Sequence, residues 1–113
     1  MAPPPLTHLL ATKLLTEFCT RRTPPEIHVD VRVGFEIRGD TITISEYRPV
    51  WDDPTQQIAM KISMLVYDAT SRTWGLFAFN RNSRRMPYDV EPTTALAILL
   101  AEIDADRTRL FWG

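Results

Sequence analysis

Apolar residues recur along this chain with two different periods, and the switch between them marks out its elements. Near the start, Leu6, Leu10, Leu14 and Phe18 follow one another four apart, with Leu15 and Cys19 alongside. That spacing predicts an amphipathic helix, with Pro3 to Pro5 as an extended lead-in, Thr7 as its N-cap and "RRTPP" as its stop. From Ile27 the period becomes two. Val29, Val31, Val33, Phe35 and Ile37 alternate with His28, Asp30, Arg32, Glu36 and Arg38, as expected of a strand buried on one face.

Gly39 then leads a turn of the kind that closes tight hairpins. A second strand over residues 41–48 puts Ile42 and Ile44 on one face and Thr43, Ser45 and Tyr47 on the other. By parity Glu46 and Arg48 continue the apolar face. "WDDPTQQ" reads as a loop, and a third strand over 57–67 carries Ile58, Met60, Ile62 and Met64 in step, opposite Lys61. Leu65 and Val66 break the alternation, which predicts a bulge or burial on both faces there. A fourth, aromatic-rich strand over 73–80 holds Trp74, Phe77 and Phe79. Short connections favour an antiparallel meander.

"RNSRRMPYDVEP" reads as a polar loop. Pro92 and Thr93 open a second helix whose body, "TALAILLAEI", is apolar almost all round, so it is expected deep against the sheet. A terminus of Leu110, Phe111 and Trp112 is expected to dock, since packed aromatics bury ~150–250 Å² each. The expectation is an α+β fold: N-terminal helix, four-stranded antiparallel β-meander, C-terminal helix packed on the sheet, and a docked aromatic tail over 107–113. One domain of 113 residues fits that length.

Charge changes this picture little. Lys and Arg number 13 against 14 Asp and Glu, a net charge of −1, which argues against broad nonspecific attraction to nucleic acid or membrane while leaving room for a local basic patch. The N-terminus lacks the pattern of a signal peptide and no apolar run approaches the ~20 residues of a membrane span, so a cytoplasmic protein with no membrane partner is expected. The single Cys19 excludes an intramolecular disulfide and a cysteine-based zinc cage, and reads as a buried thiol. His8 and His28 lack ligand spacing and read as surface residues. There is no glycine-rich phosphate loop and no hydrolase motif, and no cofactor is expected.

Three polar clusters remain. Glu46 and Arg48 are close enough in sequence to pair under Trp51, either as a polar plug at the end of the core or as a clamp in which Arg48 holds a phosphate or carboxylate. Arg81, Arg84 and Arg85 lie among Phe79, Asn80, Asn82 and Tyr88, the mixture that holds single-stranded nucleic acid, although a solvated basic loop has the same composition. Glu102, Asp104 and Asp106 end the second helix, where carboxylates oppose the helix dipole and need compensation. Arg48 and Arg81 are the expected compensators, giving a structural network of Glu46, Arg48, Asp104 and Asp106.

"FCTRRTPP", "ISEYRPVW", "WGLFAFNRN" with Tyr88, and "EIDADRTRLFWG" together resemble a small bacterial family catalogued as domain of unknown function 3024. The resemblance spans nearly the whole chain, and "E-x-R-P-x-W" and the terminal "F-W-G" are its most specific pieces. It departs at Asn80, where an aspartate is expected, and at "SRRMPY", which replaces a stretch that usually carries a tryptophan. It implies a complete, single-domain chain and brings no activity with it.

Two functions follow from the residues. The first is a non-catalytic binding or adaptor domain in which Arg48, Trp51, Arg81 and Tyr88 form a surface for an anionic ligand, such as nucleic acid or a nucleotide, or for a protein partner. The second is a metal-dependent phosphodiesterase or nuclease with Glu46, Asp104 and Asp106 as its acids and Lys61 or Arg48 as charge stabiliser.

Overall fold

The computed structural model describes residues 2–23 and 31–113. Residues 27–30, expected to begin the first strand, lie outside the described residues, as does His28. Helix α1 (Pro5–Arg22) starts with Pro at its first turn and Pro4 as N-cap, ahead of the expected Thr7. Proline suits that position because its fixed φ is already helical and its missing N–H has no helical partner to lose. At the other end the Thr23 hydroxyl donates to the Cys19 carbonyl (2.9 Å) and accepts from the Val33 amide (3.0 Å), tying the helix end to the sheet.

The buried face of α1 is Ala11, Leu15, Phe18 and Cys19. Leu6 and Leu10, expected in the same stripe, are 78% and 57% exposed. Each four-residue step overshoots a turn by about 40°, so Leu6 lies roughly 120° around the helix from Phe18. A run of fours therefore walks off the core face. Leu6 and Leu10 instead line a groove of about 340 Å³ with Thr94 and Ala97.

The sheet has five antiparallel strands in chain order: β1 (Arg32–Arg38), β2 (Thr41–Val50), β3 (Asp53–Asp68), β4 (Thr73–Phe79) and β5 (Arg85–Pro87). The four expected strands become five because residues 85–87, read as loop, pair with Phe79 to Phe77. Three residues are too few to show a period, and a proline is tolerated on an edge strand. The expected "WDDPTQQ" loop is mostly strand. Val50 pairs with Asp53, so Trp51 and Asp52 alone turn the hairpin.

The break in β3 falls earlier than expected. Ile44 pairs with Ser63 and the next residue, Ser45, pairs with Lys61, so Ile62 bulges out of register. Beyond the bulge Ser63, Leu65 and Tyr67 take the buried face, and Met64 moves to the opposite one. Helix α2 (Leu96–Ala105) also begins later than expected, because the Thr93 backbone pairs with Trp74 (2.8 and 3.1 Å). It buries Leu96, Leu99, Leu100 and Ile103 but leaves Ile98 60% exposed, so a helix apolar almost all round is buried on one side only.

Both helices contribute to one core on one face of the sheet, where Leu15, Phe18, Leu99 and Ile103 join Ile42, Ile44, Leu65 and Trp74. The tail docks as expected. Phe111 is buried with its ring 4.9 Å from that of Tyr88, and the Trp112 indole N–H donates to the Ile103 carbonyl (2.9 Å). Among the described residues no helix lies over the opposite face of the sheet. The molecule measures 46 × 28 × 23 Å with a radius of gyration of 14.4 Å. A compact chain of this length would have about 13 Å. Among the described residues, β2 beyond Tyr47 and β3 before Ser63 pair only with each other, forming a two-stranded arm.

Candidate functional site

The arm carries the first predicted cluster. Glu46 lies on the helix-side face of β2, as parity requires, and accepts from Arg48 at 2.6 Å. Met60 and Ile58 are their cross-strand neighbours, both 51% exposed, because the helices stop short of this part of the sheet. Trp51 does not cover the pair: it stands at the hairpin turn, 92% exposed.

The carboxylates of α2 have found other partners than Arg48 and Arg81. Arg21 and Arg22, at the end of α1, donate to Asp104 at 2.7 and 3.4 Å. Arg22 also lies over the Trp112 ring, 4.0 Å from its centre. Glu102 accepts from Arg107 Nε (3.0 Å) and from the Tyr88 hydroxyl (3.0 Å). These bonds, with Arg107 first, hold the Glu102 carboxyl below its ordinary value, while Glu102 raises Arg107. Asp106, in the left-handed region with φ 47°, caps the helix, and its carboxylate accepts from the Phe111 and Trp112 amides (3.0 and 2.9 Å). Glu102, Asp104 and Asp106 thus fasten the tail and α1 to α2, and Tyr88, buried, belongs to this latch. Among the described residues no three Asp, Glu, His or Cys side chains gather as a cation site, so Glu46, Asp104 and Asp106 do not form one.

Arg81 and Arg84 sit in the exposed loop between β4 and β5. Asn80 organises that loop. Its side-chain oxygen accepts from the Asn82 and Arg84 amides (2.9 and 3.0 Å), and its own amide donates to the Arg84 carbonyl (2.9 Å). An aspartate would accept the same two bonds, so asparagine here keeps the turn without adding charge.

The open face of the sheet gathers more chemistry than any of these clusters. Strand pairing and alternation place Arg32, Tyr47, Lys61, Met64, Phe77, Phe79 and Arg85 on it. They form three cation–aromatic pairs. Arg32 lies over Tyr47 at 4.3 Å, Lys61 over Phe79 at 5.6 Å and Arg85 over Phe77 at 4.8 Å. Together they span the sheet from β1 to β5, at the end where the arm and the Arg81 loop also emerge. Among the described residues no carboxylate lies within salt-bridge distance of Arg32, Lys61 or Arg85. A shallow concavity of about 520 Å³ runs along the same face, lined by Thr43, Ser45, Tyr47, Lys61 and Met64.

Gly34 makes one of these pairs possible. A Cβ there would come within 2.7 Å of the Arg32 guanidinium and 3.0 Å of the Tyr47 ring, which fold across it. The lone thiol lies around the sheet edge from Arg32. Burial pushes Cys19 from 9.0 up to about 11, with Arg32 opposing the shift. Cys19 is therefore an un-ionised thiol near neutral pH, not a nucleophile.

One family profile matches residues 3–113. The chain belongs to the domain of unknown function family DUF3024. No curated protein and no solved structure is significantly similar to it. Membership of DUF3024 therefore brings no activity, and the reading of the site rests on its geometry. Chain spacing does not single out Arg32, Tyr47 and Phe77; the signal the sequence carries for them is a strand parity opposite to that of the core residues.

Proposed function

We propose that this domain is a non-catalytic binding module whose ligand surface is the open face of the sheet, and that the ligand is anionic. The observation that carries the reading is the row of three cation–aromatic pairs, whose cations have no carboxylate partner among the described residues. A cation left unneutralised on an apolar floor attracts an anion more strongly than one in open water, because part of its hydration is already replaced. The loop residues Arg81 and Arg84 add charge of the same sign beside the row, whereas Arg38 is paired with Glu36 at 3.8 Å at the far end of the face. Arg48 and Trp51 ride on the arm and are assigned no ligand contact. A cytoplasmic setting belongs to the same reading and is supported by a single free cysteine held in the core.

Long-chain inorganic polyphosphate at low salt is the simplest test ligand, with calorimetry as the readout. Binding is expected to saturate, to weaken with added salt, and to fall at least fivefold in the double variant Lys61→Ala, Arg85→Ala. Lys13→Ala, on the outer side of α1, should leave it unchanged. Absence of binding, or an equal loss with Lys13→Ala, would overturn the proposal.

A further inference from the structure

We infer that the anionic ligand of the open face is a single-stranded nucleic acid laid across the strands; this rests on the reading that the face binds anions. An anion alone needs cations. It has no use for Tyr47, Phe77 and Phe79, each half-buried on the face of the sheet opposite α1 and α2. A single strand presents a negative phosphate and a flat base in alternation, and the row from Arg32 to Arg85 alternates cation and ring in the same way. Phosphates draw Lys61 and the arginines outward, and bases stack on the rings they uncover. The guanidinium planes of Arg32 and Arg85 are themselves stacking surfaces.

Five strands at ~4.8 Å spacing give a path of about 19 Å, and one phosphate per cation seats about three nucleotides of extended strand on the row. A duplex fits poorly. Both helices are packed on the far side of the sheet, leaving none free for a groove. The projecting arm is a two-stranded ribbon, but its turn carries Asp52 beside Asp53, which repel phosphate. Contacts made through phosphates and ring faces also discriminate little between bases, so sequence preference should be weak.

Fluorescence anisotropy with a labelled ten-nucleotide oligothymidylate and a duplex of equal length separates the possibilities, with polyphosphate binding measured on the same variants. The oligonucleotide should bind more tightly than the duplex. With three cations engaged, log K should fall against log salt with a slope of about −2. Tyr47→Leu and Phe79→Leu should each weaken oligonucleotide binding at least fivefold and leave polyphosphate binding unchanged, whereas Lys61→Ala weakens both. Phe77→Leu removes the third ring and leaves all three cations in place, and supplies the same readout should either of the other ring variants fail to fold by circular dichroism. If polyphosphate binds but the oligonucleotide shows no preference over duplex and no dependence on the rings, the nucleic-acid inference is overturned and the anion-binding reading stands. If neither binds, both fall.

Discussion

Cys19 shows how a single residue's surroundings set its chemistry. Two turns of α1 and the start of β1 enclose it, and burial raises its value from 9.0 to about 11. The folded protein thus holds the thiol proton more tightly than the unfolded chain. The stability linked to that proton is complete below pH 9 and is lost as pH rises through about 11. Urea midpoints at pH 8 and pH 11 should therefore fall further in the wild type than in Cys19→Ala; equal falls would contradict the assignment. The burial of Cys19 was legible from its place one turn beyond Leu15. Ser63 was not. Its hydroxyl is fully buried without a partner among the described residues, because the bulge at Ile62 turns it inward. Alternation read straight through the bulge would have put Ser63 outside and Met64 inside.

At the scale of elements, periodicity found both helices and four of the strands, and failed where length or register decided the outcome. β5 is held by pairing with β4 alone, and all of the expected "WDDPTQQ" loop after Asp52 belongs to β3 because β2 is there to pair with it. Neither cause is local. The carboxylates at the end of α2 need compensation because they oppose the helix dipole, and their partners come from α1 and the tail, which only the fold brings near. Glu102 gives this latch a measurable pH dependence. Its carboxyl is held below the ordinary 4.5 by Arg107 and Tyr88, so the stability it contributes is present above about pH 4.5 and lost as pH falls through the lower folded value. Glu102→Gln should lower Tm by a few degrees at pH 7, roughly the effect of losing a charged hydrogen bond, and its deficit should shrink in acid. A deficit that stays constant from pH 7 to pH 3 would place the stabilisation elsewhere.

For the whole molecule, what matters is that the sheet has one covered face and one open face. The covered face explains the apolar periods and the docked tail. The open face explains why Tyr47, Lys61, Phe77, Phe79 and Arg85 occupy alternate strand positions, where a sheet facing only water would carry short polar residues. Arginines stand near aromatics both along the chain and across the strands, and the two sets differ. Proximity along the chain joined Arg81 to Tyr88, whereas strand pairing joins Lys61 to Phe79 and Arg32 to Tyr47. No helix among the described residues is long and apolar enough to cross a membrane. The most direct measurement is a two-dimensional amide NMR titration of the ¹⁵N-labelled protein with polyphosphate. Binding at the open face predicts saturable shifts at Tyr47, Lys61, Phe77, Phe79 and Arg85, with α1 and α2 unmoved. Shifts concentrated on the helices, or a spectrum that does not change, would contradict it.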